Sequence, residues 1–430
     1  MRAMPLALPR SRAEIEKLQR ARKVAAVKNA LRAPFHRKRL AGIDPAKAHR
    51  PEVWRRIPLL DKEELRALST ERYFAEFCLA ERHEIAEYWR SGGVTGEPLF
   101  YPRTYADLPY CMLGFTRTFQ CVGFAKGDGC HMALPLGVHP AGQMWARSGE
   151  ELGIGMLWAG AGASTPSAMQ LALIERLKPK ILLTMSSYGL HLANLAEAQG
   201  DDLRRSSVAK IMCTAEPLSD AKREKLARMW GAVVYDCFGM TEASMMGAES
   251  DSSQGYHIWT DLFFIEVLDP ATHEPVPEGM PGTLVVTPLW SFTGTPFLRW
   301  NSGDIVVLRE EAGDGPFSVF PVIKHAHRTT GFFKVRGINL SHAEFEDFMF
   351  RSHDVADFKA EAVNEGGLDL LVLSIEIAQG ADGASVLERV GRATKASFEI
   401  SPKVVLLERG TLAREFERVV KAPRFVDRRS

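Results

Sequence analysis

Between residues 130 and 240 short apolar runs alternate with helix-periodic segments, and no other feature narrows the possible folds so far. The runs at 131–136, 154–158, 181–184, 209–214 and 233–235 read as strands, and the segments at 166–177, 188–198 and 220–230 as helices. Such alternation predicts a sheet covered by helices, an α/β fold. From 262 to about 323 the pattern turns β-rich, with turn signals at Asp269-Pro270, Pro281-Gly282 and Gly313 to Gly315, as in an antiparallel or β-barrel-like subdomain. After Arg328 a strand, a helix at 341–351, a strand at 368–377, a helix at 384–398 and a strand at 403–407 make a compact α+β unit. The expected division is a large domain over 1–328 and a small one over 329–430.

A net charge of +1 gives no field that would favour nucleic acid or an acidic membrane. The six cysteines include no C-x-x-C pair, which predicts reduced thiols and a cytoplasmic location, and no metal-ligand spacing occurs. The first forty residues are rich in Arg and Lys, but Glu14 and Glu16 interrupt them and no long apolar run follows. A solvated helix over 11–31 is expected there, not a targeting signal. No stretch is apolar over the roughly eighteen residues that a bilayer span needs.

Residues 91–98, S-G-G-V-T-G-E-P, combine three glycines with two small hydroxyls. Glycine lets the backbone come close to a polyphosphate, and hydroxyls with exposed N–H groups are neutral donors to its oxygens. As a pattern in isolation it is also what an ordinary Gly-rich turn looks like. It is neither a Walker loop, since Gly96 is followed by Glu97 and Pro98, nor a dinucleotide fingerprint, since Phe100 and Tyr101 look extended.

Further along come C-T-A-E-P at 213–217, Y-D-C-F-G-M-T-E at 235–242, G-Y-H-I-W-T-D at 255–261, L-R-W-N-S-G-D at 298–304 and R-T-T-G-F-F-K-V-R-G-I-N at 328–339. With the loop, this ordered series resembles the adenylate-forming enzymes, and within them the phenylacetate-CoA ligase branch, from about residue 35 to the C-terminus. The resemblance implies a large adenylation domain followed by a small mobile lid. It also implies ATP, Mg²⁺ and coenzyme A as cofactors and a small carboxylic acid, expected to be aromatic, as substrate. The expected reaction is adenylation of the acid, release of pyrophosphate and transfer of the acyl group to the thiol. The alternative is a stand-alone adenylating enzyme that delivers to a carrier-protein thiol or an amine. Other partners consistent with this are a second copy of the chain or a carrier protein, with no nucleic acid and no membrane.

Carried over residue by residue, the resemblance implies that Ser91, Gly92, Gly93, Val94, Thr95 and Gly96 hold the β- and γ-phosphates, with Gly92 and Val94 replacing a usual Ser and Thr. Ala215 would border the acid, and Glu216 and Pro217 would line the adenine side. Asp236, Phe238, Gly239 and Met240 would also contact nucleotide, Phe238 by stacking in place of the usual Tyr. Thr241 would bond the α-phosphate and Glu242 hold Mg²⁺, a hard cation that prefers carboxylate oxygen. Asp304 would accept from the ribose hydroxyls, and Arg328 would contact ribose or phosphate. Thr330 stands where the family has an acidic hinge residue, with Gly331 beside it. Leu136, Gly137 and His139 fall near the acid pocket, where His139 could meet a polar substituent on an aryl ring or serve only its own loop. His257 and Asp261 fit the family segment, with Thr260 in place of a Glu. Glu249-Ser250 stands where some members begin a Cys cluster, so no structural zinc is expected. Lys421 opens the tail K-A-P-R-F-V-D at 421–427 and matches the Lys whose ammonium bridges the attacking carboxylate and the α-phosphate.

Overall fold

The computed structural model describes residues 5–429, apart from 91–98, 138, 254, 312, 329–331, 336–337, 366–367 and 419–422. The chain forms two compact units, one of Met1–Gly127, Leu136–Gly155 and Tyr235–Thr329, the other of Asp128–Pro135, Met156–Val234 and Thr330–Ser430.

In the first unit the strands run in the spatial order Phe263–Leu268, Pro281–Pro288, Trp300–Arg309, Val322–Arg328, Tyr256–Ile258, Ser244–Ala248 and Val233–Met240. Neighbours pair antiparallel. The antiparallel half of the sequence reading therefore holds, but no closed barrel forms among the described residues. The ladder stays open because Val322–Arg328 pairs onward to Tyr256–Ile258 and does not return to Phe263–Leu268. The last strand also runs five residues beyond the expected 233–235, as far as Met240.

The N-terminal helix Arg12–Ala30 is not simply solvated: Ile15, Lys23, Ala26, Val27 and Ala30 are buried. The Lys23 ammonium lies 4.1 Å from the centre of the Trp54 ring and 3.8 Å from that of Phe264, in the corner between two perpendicular rings, a double cation–π contact the basic composition did not suggest. Burial pushes its pKa down to about 8, against the attraction of Glu266.

In the second unit Gly129–Ala133, Ile181–Thr184 and Lys210–Cys213 pair in parallel, with Gly155–Trp158 on the far side of Gly129–Ala133. Every residue of Ile181–Thr184 is buried, as expected of a parallel strand covered on both faces by crossover helices. Those helices are Ser167–Leu177, Ser186–Gln199 and Asp220–Trp230. The same unit contains a four-stranded sheet in the order Lys403–Leu406, Leu368–Ile377, Val355–Glu365, Phe425–Asp427, and the helices His342–Arg351 and Gly383–Phe398. Helix His342–Arg351 meets the start of Asp220–Trp230, where the Ala221 amide donates to Asp347 Oδ1 at 3.0 Å.

Candidate active site

Loop 91–98 lies outside the described residues, but its flanks do not. Ile85–Arg90 and Phe100–Thr104 form an antiparallel hairpin whose last pair is Arg90 with Phe100, so the ends of the loop are held side by side. Tyr101 and Arg103, two apart and hence on one face of the strand leaving the loop, are both wholly buried. Tyr101 OH donates to Glu242 Oε1 at 2.9 Å, and Arg103 Nη2 donates to the carbonyls of Thr241 and Glu242 at 2.7 and 2.6 Å. Arg103 is itself fixed by Thr295 Oγ1 at 3.1 Å and by the Trp89 ring, 4.7 Å from its guanidinium carbon. Thr241 and Glu242 occupy the tight turn between Val233–Met240 and Ser244–Ala248, where Ser244 takes φ +91° and Gly239 passes so near Ser244 that a Cβ would lie 2.7 Å from its carbonyl oxygen. The turn is thus gripped from its own hairpin and from the strand that leaves the loop.

A second cluster surrounds Asp304, which is 2 % exposed on strand Trp300–Arg309. Its Oδ1 lies 3.1 Å from His325 Nε2, and its amide donates to Ser302 Oγ at 3.1 Å. The His325 ring is 6.2 Å from Phe238, which in turn is 5.4 Å from Tyr256 at 30°. One aromatic face, one imidazole and one carboxylate therefore stand together. Across the ladder Asp304 pairs with Arg328, which lies on the neighbouring strand. Asp236 is engaged within the protein: Tyr256 OH donates to its Oδ2 at 2.7 Å and the Cys237 amide to its Oδ1 at 2.9 Å. Met240 and Gly239 complete the strand before the turn.

His257 and Asp261 are built into the core. Burial lowers the His257 pKa to about 4, and its Nε2 meets Ser250 Oγ at 2.9 Å. Asp261 takes a two-pronged bond from Arg117 at 2.6 and 2.8 Å, with both side chains almost fully buried. In the stretch near the expected acid pocket, Gly137 has φ +153° and accepts at its carbonyl from Gln143 Nε2 at 2.9 Å, close to Leu136. His139 is the N-cap of helix Pro140–Glu151.

In the second unit Ala215, at φ +70°, and Pro217 are exposed in the loop from Lys210–Cys213 into Asp220–Trp230. Between them Glu216 turns back into the protein. Its carboxylate accepts from Ser186 Oγ at 2.6 Å, from Ser187 Oγ at 2.8 Å and from the Ser187 amide, and Lys222 Nζ is 3.8 Å away. Burial alone would raise its pKa, but Lys222, Arg424 and these donors outweigh it and hold it at about 2. A carboxylate so occupied fixes the loop that presents Ala215 and Pro217. All six cysteines are buried and unbridged.

Residues 91–294 match the family described as AMP-binding enzyme. The phenylacetate-coenzyme A ligase of Thermus thermophilus is 28% identical over 410 residues, covering 89% of this chain and 90% of that protein. These matches support the adenylate-forming superfamily and, within it, the phenylacetate-CoA ligase-like branch. A second relative of this ligase, from Pseudomonas putida and of the same name, is 26% identical over 396 residues and covers 89% of the chain and 87% of itself. In fold it matches a 2-hydroxyisobutyryl-CoA ligase in complex with 2-HIB-AMP, with a TM-score of 0.86 and 24% identity over 100% of this chain and 95% of that one.

Sequence reasoning singled out Thr241, Glu242, Phe238 and Asp304 but not the residues that bond to them, Tyr101, Arg103 and His325. The placing of Tyr101 and Arg103 two positions apart, and so on one face of an extended segment directly after the loop, was an available signal; for His325 there was none, since only strand register brings it to Asp304. Lys421, Thr330 and Gly331 lie outside the described residues, and no helix among those described is long and apolar enough to cross a membrane.

Proposed function

We propose that this ligase joins a carboxylic acid, aromatic in kind, to coenzyme A through an acyl-adenylate. The observation that carries the reading is the grip of Tyr101 and Arg103 on Thr241-Glu242, on the strand that leaves the Gly-rich loop. Adenylation is a displacement between anions: an acid oxygen attacks the α-phosphorus while the bond to pyrophosphate breaks, and neutralising and positioning charge is the main catalytic demand. In this reading Ser91, Gly92, Gly93, Val94, Thr95 and Gly96 hold the outer phosphates, Thr241 donates to the α-phosphate and Lys421 brings the mobile positive charge. Phe238 stacks on adenine and Asp304 accepts from ribose, with Arg328 beside it.

Glu242 suits Mg²⁺, because Tyr101 occupies one of its oxygens and its second accepts from none of the described residues. A metal there would neutralise phosphate charge, with water and phosphate oxygens as its other ligands. Thiol transfer follows: the sulfur attacks the acyl carbon and AMP departs. A turn of the small domain over 329–430 about Gly331 would exchange the groups facing the adenylate between the two steps. His139 is the candidate contact for a polar ring substituent.

The test is acid-dependent exchange of labelled pyrophosphate into ATP over a panel of aryl and alkyl acids, followed by addition of coenzyme A. Exchange with aryl acids and thioester formation support the reading. Exchange without thioester points to a carrier-protein thiol or an amine as acceptor, and no exchange with any acid overturns the assignment.

A further inference from the structure

Helix Ser167–Leu177 begins without a cap of its own. Its N-cap is Pro166, which has no side-chain group to satisfy the first amides. The missing acceptor comes from 250 positions along the chain: Glu417 Oε1 accepts from the Ser167 amide at 3.2 Å and from Ser167 Oγ. A carboxylate at a helix N-terminus is favoured by the helix dipole as well as by the bonds themselves.

Hydrogen-bond accounting shows how specific this receptor is. Ser167 Oγ has one proton, which goes to Glu417, so its other partners must donate to it. They are Tyr188 OH at 2.9 Å and His191 Nε2 at 3.0 Å. His191 therefore carries its proton on Nε2, 3.7 Å from Glu417 Oε1. Tyr188 is oriented in turn by Gln170 Nε2 at 2.9 Å, and Gln170 by His131 at 2.8 Å. Next to Glu417, Phe416 is 3 % exposed and stacks on His191 at 5.4 Å and 16°. The Phe416 carbonyl oxygen comes within 2.8 Å of where a Cβ on Gly162 would be, so Gly162 leaves room for the passing chain. On the opposite side Leu412 and Gly410 donate their amides to Glu376, and Lys359 Nζ meets Glu415 at 2.6 Å.

Lys421 is four positions beyond Glu417, and four steps of extended chain reach at most about 14 Å. We propose that Ser167, Tyr188 and His191 form a receptor for the tail residues Phe416 and Glu417, and that Glu417 is a positioning residue for the adenylation half-reaction. The inference rests on the reading that Lys421 supplies the charge for that step. Glu417 touches no reacting atom; it fixes the point from which the tail bearing Lys421 departs.

The experiment compares Glu417→Ala, Glu417→Gln and Ser167→Ala in separate half-reactions. Adenylation is read as pyrophosphate exchange with phenylacetate, or with the panel acid that gives the most exchange. Thiol transfer is read from the synthetic acyl-adenylate of that acid plus coenzyme A. Glu417→Ala should lower kcat for adenylation at least tenfold, with the KM for ATP and the thiol-transfer rate each within twofold. Glu417→Gln, which still accepts from Ser167, should recover part of the loss, and Ser167→Ala added to Glu417→Ala should cost little more. Equal loss in both half-reactions would mean a merely structural contact and overturn the proposal, as would unchanged adenylation in Glu417→Ala. Lys421→Ala, run alongside, separates the two ideas. If it keeps full exchange while Glu417→Ala loses it, the role of Lys421 falls and the receptor stands; the reverse pattern removes the receptor alone.

Discussion

Glu242 is buried, and in the proposed reading it also faces a cation, so its neighbours matter to both. Tyr101 gives its carboxylate one neutral donor, while Arg103 donates from Nη2 to two backbone carbonyls and from Nη1 to Thr295 Oγ1, and so fixes the turn through its backbone. Tyr101→Phe should therefore raise the Mg²⁺ concentration needed for half-maximal pyrophosphate exchange several-fold and leave kcat at saturating Mg²⁺ within about threefold. Arg103→Lys should be more damaging, because a compact ammonium cannot span Thr295 Oγ1 and both carbonyls as the planar guanidinium does, and each buried acceptor left unpaired costs about 1–3 kcal/mol. Denaturant titration would check it. Asp304→Ala should raise the KM for ATP, and His325→Phe should do so less, since it removes only the donor that orients Asp304. If the two variants had equal effects on KM, His325 would be a contact in its own right.

Among the elements, close approach of backbones determines where the hairpin bearing Thr241 and Glu242 sits. Helix Leu108–Cys121 crosses strand Ser244–Ala248 at Gly114, where an added Cβ would stand 2.2 Å from the Met245 carbonyl oxygen. Gly114→Ala must push helix and strand apart, so a loss of about 1–3 kcal/mol is expected, read as a lower Tm together with weaker exchange activity. Gly391, inside helix Gly383–Phe398, is the contrasting case. Its Cβ would meet nothing nearer than Val404 Cγ2 at 3.6 Å, so Gly391→Ala should stabilise by up to about 1 kcal/mol through helix propensity. Strand and helix positions in the α/β part were readable because apolar periodicity is a local property. The extension of Val233–Met240 was not, since Asp236 is polar, and it is tertiary structure that brings Tyr256 OH to its carboxylate.

For the molecule as a whole, acid should act through histidines held neutral in the core. Burial lowers His36 to about 4 despite its bond to the Pro296 carbonyl, and lowers His257 to about 4 likewise. Each binds its proton more readily when unfolded, where the pKa is about 6.5, so its stabilising contribution is complete above that pH and is lost as pH falls from there toward 4. Unfolding free energy measured between pH 7.5 and 5 should decline, and His36→Leu should reduce the slope by up to about 1.4 kcal/mol per pH unit. An unchanged slope would mean that His36 is not held neutral by the fold. The sequence by itself determined the α/β class, the order of the motifs and the family resemblance that they carry, because periodicity and short motifs are written along the chain. Tertiary structure alone decided that the β-rich segment stays open, that Glu216 is tied to Ser186 and Ser187, and that His325 reaches Asp304 and Glu417 reaches Ser167. Those pairings depend on strand register and on packing between residues as many as 250 positions apart, and no local pattern encodes either.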